Sequence, residues 1–156
     1  MRIEMIFVAV GTTDFDDLVQ TVDRFCPTLG EDVVMQIGHG HYEPQYARFF
    51  RFAPSLKPYY KSSSLVVAHG GLGTTIEVLE QGKPLVSVSN HDRYDRHQDD
   101  LLEILEAEGY LLWCRELSQL PEAIEQARRT TFKRYDRPEC RIAEVIKDYL
   151  ADYRGK

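Results

Sequence analysis

Along this chain, short apolar runs rich in β-branched residues alternate with stretches whose apolar positions recur at helical spacing. Residues 5–10 (MIFVAV) read as a strand and residues 15–25 as a helix carrying Leu18, Val19, Val22 and Phe25 on one face. Residues 33–37 predict a second strand that ends at Gly38, and residues 48–52 a third, beyond the polar HGHYEP loop. Residues 57–62 read as a short helical link. The run LVVA at 65–68 is of the kind that a parallel sheet buries on both faces, and it feeds GGLGTT and a helix from about 75 to 81. Gly82 stops that helix and Pro84 bars its continuation. Residues 85–88, 97–108 and 111–114 follow as strand, helix and strand, and helices at about 120–129 and 137–153 close the chain. Strands separated by helices of this length imply right-handed crossovers. The expected fold is therefore α/β, one Rossmann-like domain over residues 1–156, with five or six mostly parallel strands and helices on both faces.

In such a sheet, ligands bind outside the carboxyl ends of the strands. That directs attention to the loops after Val10, Ile37, Ala68 and Val88, which hold most of the unusual residues. The segment His69-Gly70-Gly71-Leu72-Gly73-Thr74-Thr75 lies between a strand and a helix. Glycines admit an anion close to the backbone, and a helix start offers unpaired N–H groups and a positive dipole end, so a diphosphate would fit there. A tight turn with Thr74 as N-cap explains the same residues without any ligand. The pattern is neither GxxxxGK[ST] nor a full dinucleotide fingerprint, because Ile76 stands where the third glycine belongs. Asp92 is at the spacing of a ribose-binding acid, which keeps a nicotinamide oxidoreductase open as an alternative. Glu77, near the start of the predicted helix, gains from the dipole and could equally reach a ribose diol. The loop SNHDRYDRHQDD after Val88 suits a polyhydroxylated ligand.

Charge and cysteines narrow the classes. The 156 residues carry 19 Lys plus Arg against 25 Asp plus Glu, a net charge of -6, so repulsion from nucleic acid is expected. No run approaches the length of a membrane span, and MRIEMIFVAVGTTDFDD turns polar too early for a secretory signal, so a cytoplasmic protein is expected. Cys26, Cys114 and Cys140 are odd in number and lack CxxC spacing, which fits reduced thiols. The five histidines lie between His39 and His97, with Asp92, Asp95 and Asp99 near, yet no spacing matches a closed metal site. No metal or other cofactor is expected.

The stretch from Ser64 to Leu112, with HGGLGTTIE, GKP and HQ, resembles the donor-binding core of family 28 glycosyltransferases. IFVAVGTTDFDDLV and QIGHGHYEP resemble more narrowly the small soluble subunits of two-chain enzymes that glycosylate polyprenyl-diphosphate sugars. These include bacterial exopolysaccharide subunits and the catalytic subunit of the eukaryotic dolichol-linked GlcNAc transferase. The resemblance implies the carboxyl-terminal half of a GT-B enzyme holding a UDP-sugar. Gly70, Gly71, Gly73, Thr74 and Thr75 would face the diphosphate, Glu77 would bind the uridine ribose, and His97 and Gln98 would contact the sugar or its phosphate. Gly11 and Thr12 match the first glycine loop, and Gln36 and Gly38 would lie near it. His69 and His97 are the candidate catalytic groups, each also readable as an ordinary hydrogen-bonded histidine. The leaving diphosphate would be stabilised by backbone amides and a helix end, without a required cation. The base that deprotonates the acceptor hydroxyl, and the membrane anchor, are expected on a partner subunit that presents the polyprenyl-diphosphate-linked sugar, so that this chain sits peripherally at the membrane. Arg96 before HQ, and SVSN in place of an apolar-Pro sequence, depart from the family pattern and bear on the sugar's identity.

The tail adds a stripe, Ile142, Val145, Ile146, Tyr149, Leu150 and Tyr153, after a basic stretch from Arg128 to Arg137. It either covers this domain's own sheet or docks to the partner or an anionic bilayer. A further alternative is a module that enhances a partner transferase without holding the donor.

Overall fold

The computed structural model describes residues 5–90 and 96–134. Six strands form one sheet: β1 (Met5–Ala9), β2 (Asp32–Gln36), β3 (Arg48–Phe50), β4 (Leu65–His69), β5 (Leu85–Val88) and β6 (Leu112–Cys114). Every pairing is parallel, in the order β3-β2-β1-β4-β5-β6. The helices are α1 (Asp16–Phe25), α2 (Lys57–Ser62), α3 (Leu72–Glu80), α4 (Arg96–Ala107) and α5 (Leu120–Arg129). The helix expected at 137–153, with its apolar stripe, lies outside the described residues.

Because β1 and β4 are central, both of their faces must be covered, and successive side chains go to opposite layers. Ile6, Val8 and Val10 join one core with Val33, Met35, Val67 and Val86, closed by Leu18, Val19 and Val22 of α1 and Ile124 of α5. Phe7 and Ala9 join the other with Val66, Ala68 and Leu85, closed by Tyr60 of α2, Val78 and Leu79 of α3, and Leu101, Leu102 and Leu105 of α4. The continuous apolar runs thus report two-sided burial.

One helix boundary differs from expectation. α3 starts at Leu72 with Gly71 at its N-cap, so Thr74 lies inside the first turn and caps nothing. Gly73, read as part of the turn, adopts helical conformation. At the far end, Gly82 takes φ +69° as the helix stops.

The long connection after β2 is held by two carboxylates of α1. Asp16 accepts the amides of His41 (2.9 Å) and Tyr42 (3.2 Å). Buried Asp23 accepts Tyr42 Oη (2.7 Å) and the amides of Gln45 (2.8 Å), Tyr46 (2.9 Å) and Ala47 (3.1 Å). Burial alone would push the Asp23 carboxyl up, but these four donors outweigh it and hold the group below the usual carboxylate range. A lowered folded value adds stability that is present above the unfolded value and is lost as pH falls through the folded one. Asp23→Asn, which sets an NH2 group against N–H donors, should cost about 2–3 kcal/mol in urea unfolding at neutral pH and flatten the acid limb of the stability curve. An unchanged unfolding midpoint would show that the loop does not depend on this carboxylate.

Candidate functional site

The strand order reverses between β1 and β4, so the loops leaving these strands part and open a crevice at their carboxyl ends. On the β1 side, Gly11 takes φ +70°. Its conformation is pinned by the side chain of Gln36, which is only 2% exposed. Gln36 Oε1 accepts the amides of Val10 (3.1 Å) and Gly11 (2.9 Å), and Nε2 donates to the carbonyls of Gly11 (2.7 Å) and Arg51 (2.8 Å). Gly38, at φ +58°, sits where a Cβ would lie 2.3 Å from the Thr13 carbonyl oxygen. Gln36 and Gly38 were expected at the donor site; Gln36 lines the cleft with its amide bonded internally, Gly38 is buried, and both build the loop.

On the β4 side, the His69 ring is wedged between two glycines. A Cβ on Gly11 would stand 2.7 Å from His69 Nε2, and one on Gly71 2.2 Å from Cε1. The Gly71 amide donates to His69 Nδ1 (3.2 Å), which places the ring proton on Nε2, 3.3 Å from Thr74 Oγ1. Burial holds His69 below its ordinary range, so the ring is neutral at neutral pH. With both nitrogens engaged, the His69 ring fixes the turn, and neither nitrogen is left open as the catalytic role expected for it would need.

Three neighbours of His69 that were expected at the diphosphate, Thr75, Gly71 and Gly70, are engaged within the turn or buried. Thr75 is 1% exposed. Its amide (3.0 Å) and hydroxyl (2.7 Å) both donate to the Gly71 carbonyl, so neither faces a ligand. The Gly71 amide is taken by His69, and Gly70 is buried. Helix geometry leaves the amides of Leu72, Gly73 and Thr74 without partners inside α3, and these point out of its positive end. Around Gly73 a Cβ would meet nothing within 4 Å, and its φ is not positive. The fold therefore does not require glycine there.

Between the two loops lies a cleft of about 300 Å³. Gly11 and Thr12 line it from β1, Thr74 and Glu77 from α3, and Phe52 and Lys57 from the segment beyond β3. Glu77 is exposed, one turn along α3 from Thr74. The wall from Phe52 to Lys57 is the part sequence reasoning missed. Its one signal is an aromatic ring followed by Ala-Pro in a loop; the Phe52 ring is 50% exposed, edge-on to His39 with centroids 4.9 Å apart. A larger hollow, about 810 Å³, opens by β6 and α5 around Trp113 and Gln126, away from the point where the strand order reverses.

His97 and Gln98 fall in the first turn of α4, below β5, with their side chains outside the described residues; Asp92 and Asp95 lie outside them altogether. What the structure does give is how α4 is set: Trp113 Nε1 donates to Ser89 Oγ (2.9 Å), which donates to Asp99 Oδ1 (2.5 Å). Among the described residues, no three His, Cys, Asp or Glu side chains gather as a metal site.

Residues 5–151 match the glycosyltransferase family 28 C-terminal domain. Over 122 residues, 70% of this chain, it is 37% identical to the UDP-N-acetylglucosamine transferase subunit ALG13 of Homo sapiens, of which that stretch is 11%. An uncharacterized glycosyltransferase of Methanosarcina mazei is 33% identical over 108 residues, covering 67% of this chain and 27% of that one. The chain thus spans a minor part of the relatives' length. Among solved structures, the NMR structure of ALG13 superposes with TM-score 0.64 at 19% identity, covering 94% of each chain. The calicheamicin glycosyltransferase CalG4 superposes with TM-score 0.67 at 16% identity, covering 97% of this chain and 38% of that one. The fold is that of the carboxyl-terminal half of such enzymes.

Gly71 has ordinary extended backbone angles, and the atoms a side chain there would meet first are those of the His69 ring. Gly71→Ala should cost about 1–3 kcal/mol, and most of that cost should vanish when His69→Ala is already present. Additive effects in the unfolding cycle would mean the ring is not what excludes the side chain.

Proposed function

The chain belongs to glycosyltransferase family 28, and from that premise we propose that it is the UDP-sugar-binding half of an inverting glycosyltransferase. It would transfer a hexose, hexuronic acid or N-acetylhexosamine to a polyprenyl-diphosphate-linked sugar, in exopolysaccharide or glycan biosynthesis. The observation that carries the reading is Gly73: a glycine at an open helical position, which the fold does not need, next to Thr74, which lines the cleft. A side chain there would stand over the free amides, and without one an anion reaches them.

In this reading the diphosphate rests on the amides of Leu72, Gly73 and Thr74, with the Thr74 hydroxyl beside them and Gly11 and Thr12 across the cleft. Glu77, exposed on the same wall, accepts two hydrogen bonds from the ribose diol. The Phe52 ring at the rim offers the base a flat apolar face. As the acceptor oxygen bonds to the anomeric carbon and the bond to UDP breaks, negative charge grows on the diphosphate, where preorganised amides stabilise it. The acceptor's proton goes to a base on the other half, supplied by a membrane-anchored partner that also presents the lipid. No described helix is long and apolar enough to cross a membrane.

Calorimetry with UDP tests the site. Glu77→Ala should weaken binding by roughly 2 kcal/mol, about thirtyfold. Gly73→Ala should leave stability unchanged or raise it by up to about 1 kcal/mol, as alanine does inside a helix, yet weaken UDP about tenfold or more. Undiminished binding by both variants would remove this cleft from the donor site. The isolated chain should also fail to glycosylate a lipid-linked acceptor; full turnover without a partner would place the base within this chain.

A further inference from the structure

The stretch SVSN, where the sequence departs from the family's apolar-Pro pattern, puts a serine and an asparagine just past the end of β5. Ser89 is 5% exposed, a place where an apolar side chain would serve the fold as well. Its hydroxyl is instead the middle of a chain: Trp113 Nε1 donates to Ser89 Oγ (2.9 Å), which donates to Asp99 Oδ1 (2.5 Å). An indole N–H only donates and a carboxylate only accepts, so the hydroxyl between them has one orientation. Beside it, Asn90 Nδ2 donates to the Asp14 carbonyl (3.0 Å), tying this point to the loop after β1 whose Gly11 and Thr12 line the cleft.

Trp113 also holds the other end of α4. Its backbone amide donates to Glu106 Oε2 (2.7 Å), and Arg115, stacked on the indole 4.0 Å from the ring centroid, pairs with Glu106 Oε1 (3.3 Å). Asp99 and Glu106 are two turns apart on one face of the helix. One residue of β6 thus grips α4 at two points about 10 Å apart along its axis. Apolar contacts would keep the helix on the sheet yet let it slide; hydrogen bonds of fixed length and direction do not. What they fix is the axial position of the first turn of α4, the turn that carries His97 and Gln98.

We propose that Ser89, Asp99 and Trp113 are positioning residues that determine which sugar the donor carries. They set the first turn of α4, and with it the polar groups offered to the sugar, while the nucleotide is held on α3. The inference rests on the reading of the cleft as a UDP-sugar site with His97 and Gln98 meeting the sugar. Nucleotide and sugar are then read by different helices, so a change in the chain through Ser89 alters one and spares the other.

Calorimetry of the full chain with UDP, UDP-glucose, UDP-glucuronic acid and UDP-N-acetylglucosamine is the test. The parent should bind the three UDP-sugars with affinities spread by about tenfold or more. Ser89→Ala should melt within a few degrees of the parent, bind UDP within about twofold of it, and narrow that spread by about fivefold. Asp99→Ala should do the same, and the double variant no more than either alone, because both break one chain. Asp99→Asn, which keeps Oδ1 as an acceptor, should retain the parent's ranking. The inference is overturned if the spread survives in either alanine variant, if UDP binding falls as far as that of the UDP-sugars, if the two effects simply add, or if the parent binds all three sugars alike. A parent that does not bind UDP defeats the underlying reading of the cleft instead.

Discussion

The cleft depends on one buried amide. Parallel strands that end together leave backbone donors and acceptors unpaired at their carboxyl ends, and burying them unmet would be costly. Gln36, at the end of β2, answers for both neighbours: it bonds Val10 and Gly11 beyond β1 and the Arg51 carbonyl beyond β3. Arg51 in turn donates to the Gly38 (3.1 Å) and Gly40 (2.6 Å) carbonyls, tying the next loop to the same point. The first glycine loop is thereby fixed before any ligand arrives, and binding need not bear the entropy of ordering it.

The neutral His69 follows from this rigidity. A protonated imidazole would attract a diphosphate, yet it could not accept the Gly71 amide, and its charge would be buried between Gly11 and Gly71. The structure gives up that attraction and gains a turn of fixed shape, and in the proposed reading the helix end with its free amides would meet the anion. Since burial lowers the folded value, this arrangement is intact above the ordinary histidine range and is undone as acid protonates Nδ1.

How much of this the sequence carried depends on what each residue does. Four strands, β1, β2, β4 and β5, follow from runs rich in β-branched residues, because two-sided burial writes a nearly continuous apolar string, whereas the short edge strands β3 (RFF) and β6 (LWC) carry none. The start of α3 was misplaced by three residues because glycine usually marks turns, and only coordinates show that Gly73 is helical with open space around it. Gln36 was legible as an unusual residue near the site, but not as a group whose hydrogen bonds are internal, since pairing across 25 positions leaves no local pattern; Thr75 was misjudged because its bonds to Gly71 follow from the earlier helix start. Phe52 was invisible for a related reason: it reaches the cleft from the loop beyond the edge strand β3, which the fold alone brings there. Nothing in the sequence sets Asp16 and Asp23 apart from other acids on an amphipathic helix, and their loop-holding role needed the fold.

The sheet order itself separates the donor reading from the nicotinamide one. In the dinucleotide fold of the same strand order, the glycine fingerprint follows β1, and an acid about twenty residues on, at the end of β2, holds the ribose. Here β1 leads into GTTDFDD, and the end of β2 is occupied by Gln36, Ile37 and Gly38, all buried. The glycine-rich turn follows β4, across the point where the order reverses, and its nearby acid is Glu77 on the very helix whose amides are free. In the proposed reading phosphate and pentose would be gripped by a single helix from one side, as a mononucleotide whose far substituent projects out of the crevice. A group so projected would be met from outside this domain, and on that reading the chemistry at the sugar calls for a second half.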